Sequence, residues 1–72
     1  MNKTRYRIRS FLAYDHTEKW KIDFKSPSAT FWETLKKSIT DDMVFDDMEV
    51  AKTYATCLND KQNYVPKIIY IE

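Results

Sequence analysis

Glycine is missing from this chain altogether. Without it no phosphate cradle of the P-loop or dinucleotide type can be built, because both need backbone that a Cβ would obstruct. Any turn position with positive φ is then expected to fall to Asn or Asp, which tolerate it best. Cysteine is almost as scarce. Cys57 stands alone, which excludes an internal disulfide and any zinc site built on several thiolates. Small secreted domains are usually stapled by disulfides, so a lone cysteine points to a reducing compartment. No apolar run approaches the roughly 18 residues that cross a bilayer. The basic start Lys3-Thr4-Arg5 is not followed by the apolar stretch of a signal peptide. The expectation is a cytoplasmic protein with no membrane partner.

What the chain does contain is apolar and charged in quantity. Of its 72 residues 43% are hydrophobic and 15% aromatic, too many for a disordered segment. A chain of this length buries only about 60% of its unfolded surface, so one domain over 1–72 with a thin core is expected. Net charge is +1, yet residues 1–25 carry +4 and residues 26–72 carry −3. Five acids, Asp41, Asp42, Asp46, Asp47 and Glu49, fall within 41–49 with no base among them. Asymmetry of this kind bears on partners rather than on fold.

Two segments alternate with the period of a half-buried strand. In 4–12, Tyr6, Ile8 and Leu12 share one parity and Arg5, Arg7 and Arg9 the other. In 19–25, Trp20, Ile22 and Phe24 face opposite to Lys19, Lys21, Asp23 and Lys25. The polar stretch between them has hairpin length. Matching the apolar faces pairs even with even, which sets Asp23 opposite Arg7 or Arg9. Ser26-Pro27 then reads as an N-cap and first helical residue, with Trp32, Leu35 and Ile39 at helical spacing, predicting a helix over 27–39. A further short strand at 43–45 is compatible with the pattern. Asp46 as N-cap with Glu49, and Phe45 with Val50 as staple, predict a second helix that ends at Asn59-Asp60. Residues 64–71 read as a closing strand, with Pro66 near its start. The fold class is α+β, a small antiparallel sheet of hairpin and C-terminal strand with two helices on one face. Trp20, Ile22, Phe24, Trp32, Leu35, Ala51, Ala55 and Leu58 are expected in one buried cluster.

No residues in the chain compose a catalytic site. His16 lies in the hairpin loop directly after Asp15, an arrangement in which a carboxylate does not orient its base, and no nucleophile accompanies them. Neither a metal site nor a cofactor site is indicated, and the chain is not expected to be an enzyme. Cys57 is expected as a small core residue. The acidic run reads as helix-cap chemistry and a solvated loop. The informative surface is the outer face of the hairpin, where Arg5, Arg7, Arg9, Lys19, Lys21 and Lys25 project together. Same-face residues of a strand lie about 6.6 Å apart, a spacing that suits phosphates. An acidic protein surface asks for the same side chains, and a merely solvated face is the third reading. Only Phe11 shares that parity, so a platform for base stacking is lacking. Apart from the Asp23 pair, mutual repulsion gives these cations no role in folding. Reversing Arg7 and Arg9 to Glu is therefore expected to leave the fold intact. Phe11, Ile69 and Ile71 are a candidate apolar interface, through which self-association is open to the chain.

Residues 45–55, F-D-D-M-E-V-A-K-T-Y-A, follow a basic alternating strand and a Trp-bearing one, and the short strand PKIIYI closes the chain. In this pattern the chain resembles the small accessory proteins that phages encode. The resemblance implies stoichiometric binding of host machinery or host defences, including restriction and CRISPR systems, in the host cytoplasm. That group shares no residue-level functional motif, so no site residue is carried over from it. The expected partner is a host protein complex, or alternatively RNA or DNA, held on the basic hairpin face.

Overall fold

The computed structural model describes residues 3–71; Met1, Asn2 and Glu72 of the expected domain lie outside the described residues. The alternating segments form an antiparallel hairpin, β1 (Arg5–Leu12) and β2 (Glu18–Lys25). Its register pairs even with even, as the matching of apolar faces requires, and sets Arg7 against Asp23. The connecting turn holds His16 at φ 66. His16 N donates to Ala13 O and Thr17 O accepts from Ala13 N, the pattern of a three-residue loop whose last residue is left-handed. This position was expected to fall to Asn or Asp. The preceding Asp15 instead accepts from the Thr17 amide and hydroxyl, fixing the turn from within.

No helix forms over 27–39. Glu33–Thr34 instead pair with β2 as a short β3, giving the sheet order β1-β2-β3. The chain continues along the same edge, with Leu35 N donating to Ile22 O and Phe45 exchanging both backbone bonds with Trp20 at 2.8 Å. Two causes favour this path. Phe31, Trp32 and Thr34 are better strand than helix formers, and the free edge of β2 offers backbone partners that a helix would leave unpaired. Ile39 of the expected helical stripe is exposed, as is Phe31. The short strand considered at 43–45 reduces to the Phe45–Trp20 bridge.

One helix, α1 (Met48–Asn63), packs on β1 and β2. Its N-cap is Asp47, not Asp46; the Asp47 carboxylate accepts from Glu49 N at 2.8 Å. Asp47 itself has the extended backbone of a cap, at φ −122 and ψ 128, while Phe45 is tied to Trp20 by two backbone bonds. Phe45 therefore packs on Tyr54, at 5.5 Å between ring centroids, rather than stapling Val50. The far end runs a turn past Asn59-Asp60. Gln62 explains this, since its side-chain amide accepts from Thr4 N and donates to Thr4 O and to Asn59 Oδ1.

The core is thinner than the expected cluster. Ile22, Ala51 and Ala55 are buried, the two small residues letting the helix approach the sheet at Ile22. Trp20, Phe24, Leu35 and Leu58 are only half-buried, and Trp32 lies with the arginines on the other side of the sheet. Cys57 is exposed rather than in the core. Residues 64–71 follow α1 without regular secondary structure and join no strand. Ile68, Ile69, Tyr70 and Ile71 are all exposed, Ile71 at 94%. No helix of the described residues is long and apolar enough to cross a membrane.

Candidate functional site

The outer face of the hairpin is built by parity. Because β1 and β2 pair odd with odd on this side, Arg5, Arg7, Arg9 and Phe11 stand beside Lys25, Asp23, Lys21 and Lys19. β3 adds Thr34 next to Asp23. Asp23 is only 2% exposed and is the hub of one end of this face. Its Oδ2 accepts from Arg7 Nε and from Arg9 Nε, each at 2.9 Å. Its Oδ1 accepts from Thr34 Oγ1 at 3.0 Å and from Arg9 Nη2 at 3.4 Å. Arg9 Nη2 also donates to Thr34 Oγ1. Burial alone raises the Asp23 pKa, and the bonds from Arg9, Arg7 and Thr34 more than cancel that, leaving it below the ordinary carboxylate value. The same bond raises the Arg9 pKa.

Trp32 completes this end. The Arg7 guanidinium carbon sits 4.3 Å from the centre of the indole ring system and that of Arg5 at 5.6 Å, both within cation–π range. Arg7 and Arg9 keep 47% and 42% of their side-chain surface in solvent. Both are therefore held at Nε by a buried carboxylate, and Arg7 also lies over an aromatic ring, with guanidinium surface still open to a partner. Arg5 and Lys25, cross-strand neighbours, have no ion pair among the described residues.

The other end is neutralised from within. Lys19 pairs with Asp46 at 2.5 Å; Lys21 and Lys36 both pair with Asp42 at 2.9 Å. Bonds from Lys36 and Lys21 hold the Asp42 carboxyl below its ordinary pKa, and the bond to Asp46 raises that of Lys19. The Lys21 ammonium lies 4.6 Å from the Phe11 ring centre. The acidic run is thus neither only cap chemistry nor a solvated loop, because Asp42 and Asp46 fold back onto lysines of the hairpin. The charge asymmetry of the sequence is largely discharged by the fold.

The six cations singled out from the sequence consequently fall into two groups. Arg5, Arg7, Arg9 and Lys25 form an open end, whereas Lys19 and Lys21 are occupied by carboxylates of the same chain. Phe11 does not join Ile69 and Ile71. It is half-buried under Lys21 toward the Leu12 end of β1, while residues 64–71 depart beside Thr4 at the opposite end. Reversal of Arg7 and Arg9 no longer qualifies as harmless to the fold, since it would set two carboxylates against a buried third. Trp32 and Thr34 were missed as members of the site; the aromatic and β-branched run Phe31-Trp32-Glu33-Thr34 was the available signal. His16 stands apart in the turn. Among the described residues no three His, Cys, Asp or Glu side chains gather as a metal site. No protein-family model, curated protein or solved structure matches the chain.

Proposed function

We propose that the chain is a small non-enzymatic binding protein whose arginine end docks on an acidic surface of a partner protein. The observation that carries this reading is the fixed pair Arg7 and Arg9, clamped at Nε by buried Asp23 with the remaining guanidinium surface open. A guanidinium already immobilised loses little freedom on binding, which favours affinity and geometric selectivity. The composition of the patch supports a protein partner. Arg and aromatic residues are enriched at the centres of protein interfaces, and Phe31, next to Trp32, is 78% exposed. Nucleic acid is less well supported. A nucleic-acid-binding domain is ordinarily strongly basic, whereas net charge here is +1 and the lysine end is internally paired. The resemblance to phage accessory proteins suggests the class of partner, a host protein complex in the cytoplasm, bound stoichiometrically to modulate or inhibit it.

The test compares wild type with Arg5→Glu/Lys25→Glu, which spares the Asp23 cluster. Both are used as immobilised bait in bacterial lysate, and both are titrated against a labelled single-stranded oligonucleotide across salt concentrations. A host protein retained by wild type and lost by the reversed variant is the expected result. Oligonucleotide binding whose affinity falls steeply with salt, without a retained protein, would replace the protein partner by nucleic acid. Equal retention by both baits would remove Arg5 and Lys25 from the docking surface.

A further inference from the structure

The outer strand β1 has one edge that β2 does not use. Trp20 exchanges its backbone bonds with Phe45, and Ile22 O accepts from Leu35 N. The even residues of β2 therefore point toward β3 and its odd residues toward β1. In an antiparallel pair with Arg7 opposite Asp23, the odd residues of β1 point back at β2 and its even residues point outward. Tyr6, Ile8, Ser10 and Leu12 thus present their N–H and C=O groups along the open edge. Thr4 is the next in this series. Its N and O are already engaged from that side by the Gln62 amide, at 3.0 and 2.7 Å. Beside the edge runs a groove whose floor is Tyr6 and Ile8 and whose far wall is Lys52, Ala55, Thr56 and Asn59 of α1.

The same chain carries an unpaired strand-like segment. Tyr64–Ile71 is eight residues long, equal to β1, and its Ile68, Ile69, Tyr70 and Ile71 are strong strand formers exposed on both faces. It leaves α1 beside Thr4, yet it does not turn back onto its own edge. A return would require a reversal at the helix end, normally made by a left-handed residue such as glycine. Here the C-cap residue Tyr64 is extended, at φ −73 and ψ 131. Val65 precedes a proline and is restricted to extended backbone, and the Pro66 ring fixes its own φ. Three consecutive residues therefore direct the segment away from the body, consistent with a longest dimension of 60 Å against 28 and 22 Å.

We infer that the occupant of the open β1 edge is the Lys67–Ile71 segment of a second copy, exchanged reciprocally in a two-fold dimer. Each chain offers one acceptor edge and one donor strand, so two copies satisfy each other and the assembly closes. Backbone bonds to the outward N–H and C=O groups of Ile8 and Ser10 supply the pairing, as in strand addition generally. One side of the added strand packs into the groove against Ala55 of α1. Arg5 and Arg7 also line this groove, but the exchange rests on backbone pairing at Ile8 and Ser10 and needs no guanidinium, so its test is separate from that of the arginine-end reading.

Sedimentation of the full chain over a range of concentrations, alongside two variants, tests this. Truncation after Pro66 removes the donor strand. Ser10→Pro damages the acceptor edge only, because the Ser10 N–H points away from β2 and proline is tolerated on an edge. A dimeric full chain, with both variants monomeric and both still unfolding cooperatively on heating, is the expected outcome. A monomeric full chain overturns the proposal, as does a dimer that survives truncation. Should the full chain be monomeric while truncation strips hydrogen-exchange protection from Ile8 and Ser10, the segment pairs with its own sheet and the exchange is excluded.

Discussion

At the arginine end of the sheet one carboxylate, 2% exposed, serves two guanidiniums; at the lysine end two carboxylates, 29% and 84% exposed, serve three ammoniums. The bonds are of similar length, so distance does not separate the ends. Burial does. A carboxylate removed from water must be fully compensated by its partners, whereas an exposed pair exchanges its ion partner for water at little cost and is screened by salt. One end is consequently part of the fold, and the other mainly cancels charge.

Deleting each carboxylate in turn sharpens the contrast. Asp23→Ala should have the largest effect. Removing one partner of a buried pair ordinarily costs about 3–5 kcal/mol. The arginines left behind are half-exposed and can rehydrate, so about 2 kcal/mol is expected, a fall in melting temperature of ~10 °C for a domain this small. A shift of only a degree or two by circular dichroism would transfer the role to Trp32. Acid should reproduce the effect in wild type. The Asp23 pKa is depressed on folding, as is that of Asp42. Their contribution is therefore complete above about pH 4 and is lost as the pH falls through the lower folded values. Unfolding followed from pH 6 downward should show this loss, and Asp23→Ala should remove most of it. Asp42→Ala should lower the melting temperature less than Asp23→Ala, and the difference from wild type should shrink in high salt. Asp46→Ala should have the smallest effect of the three. An ordering that placed Asp46 above Asp23 would break the comparison.

Where opposite faces of a strand differ in polarity, the sequence was legible. The period of two placed Asp23 across from Arg7 or Arg9, and the structure chose Arg7; a one-residue slip would have exposed Ile22 and buried lysine. Helical spacing misled at Trp32, Leu35 and Ile39. It reports which side chains align but not whether an open sheet edge competes for their backbone. The exact cap was illegible too, since two adjacent aspartates could serve. Apolar β-branched residues in 64–71 favour a strand, but none forms there, because propensity contains no partner. At the candidate site the cations were visible, whereas Asp42 and Asp46 lie 21 and 27 residues from the hairpin lysines they meet, beyond any local pattern.

The Gln62 clasp on Thr4 has a mechanical consequence. It joins residues 58 positions apart in the chain, at the point where the exposed segment leaves the body. Traction on Tyr64–Ile71 is transmitted to the last turn of α1, loading the Asn63 bond from Lys3 and the two amide bonds of Gln62 to Thr4. Once they part, the helix peels from its end, so bonds break in sequence rather than together and the resistance at any moment is small. An unfolding machine that grips this exposed segment would find here a handle attached to the end of the helix.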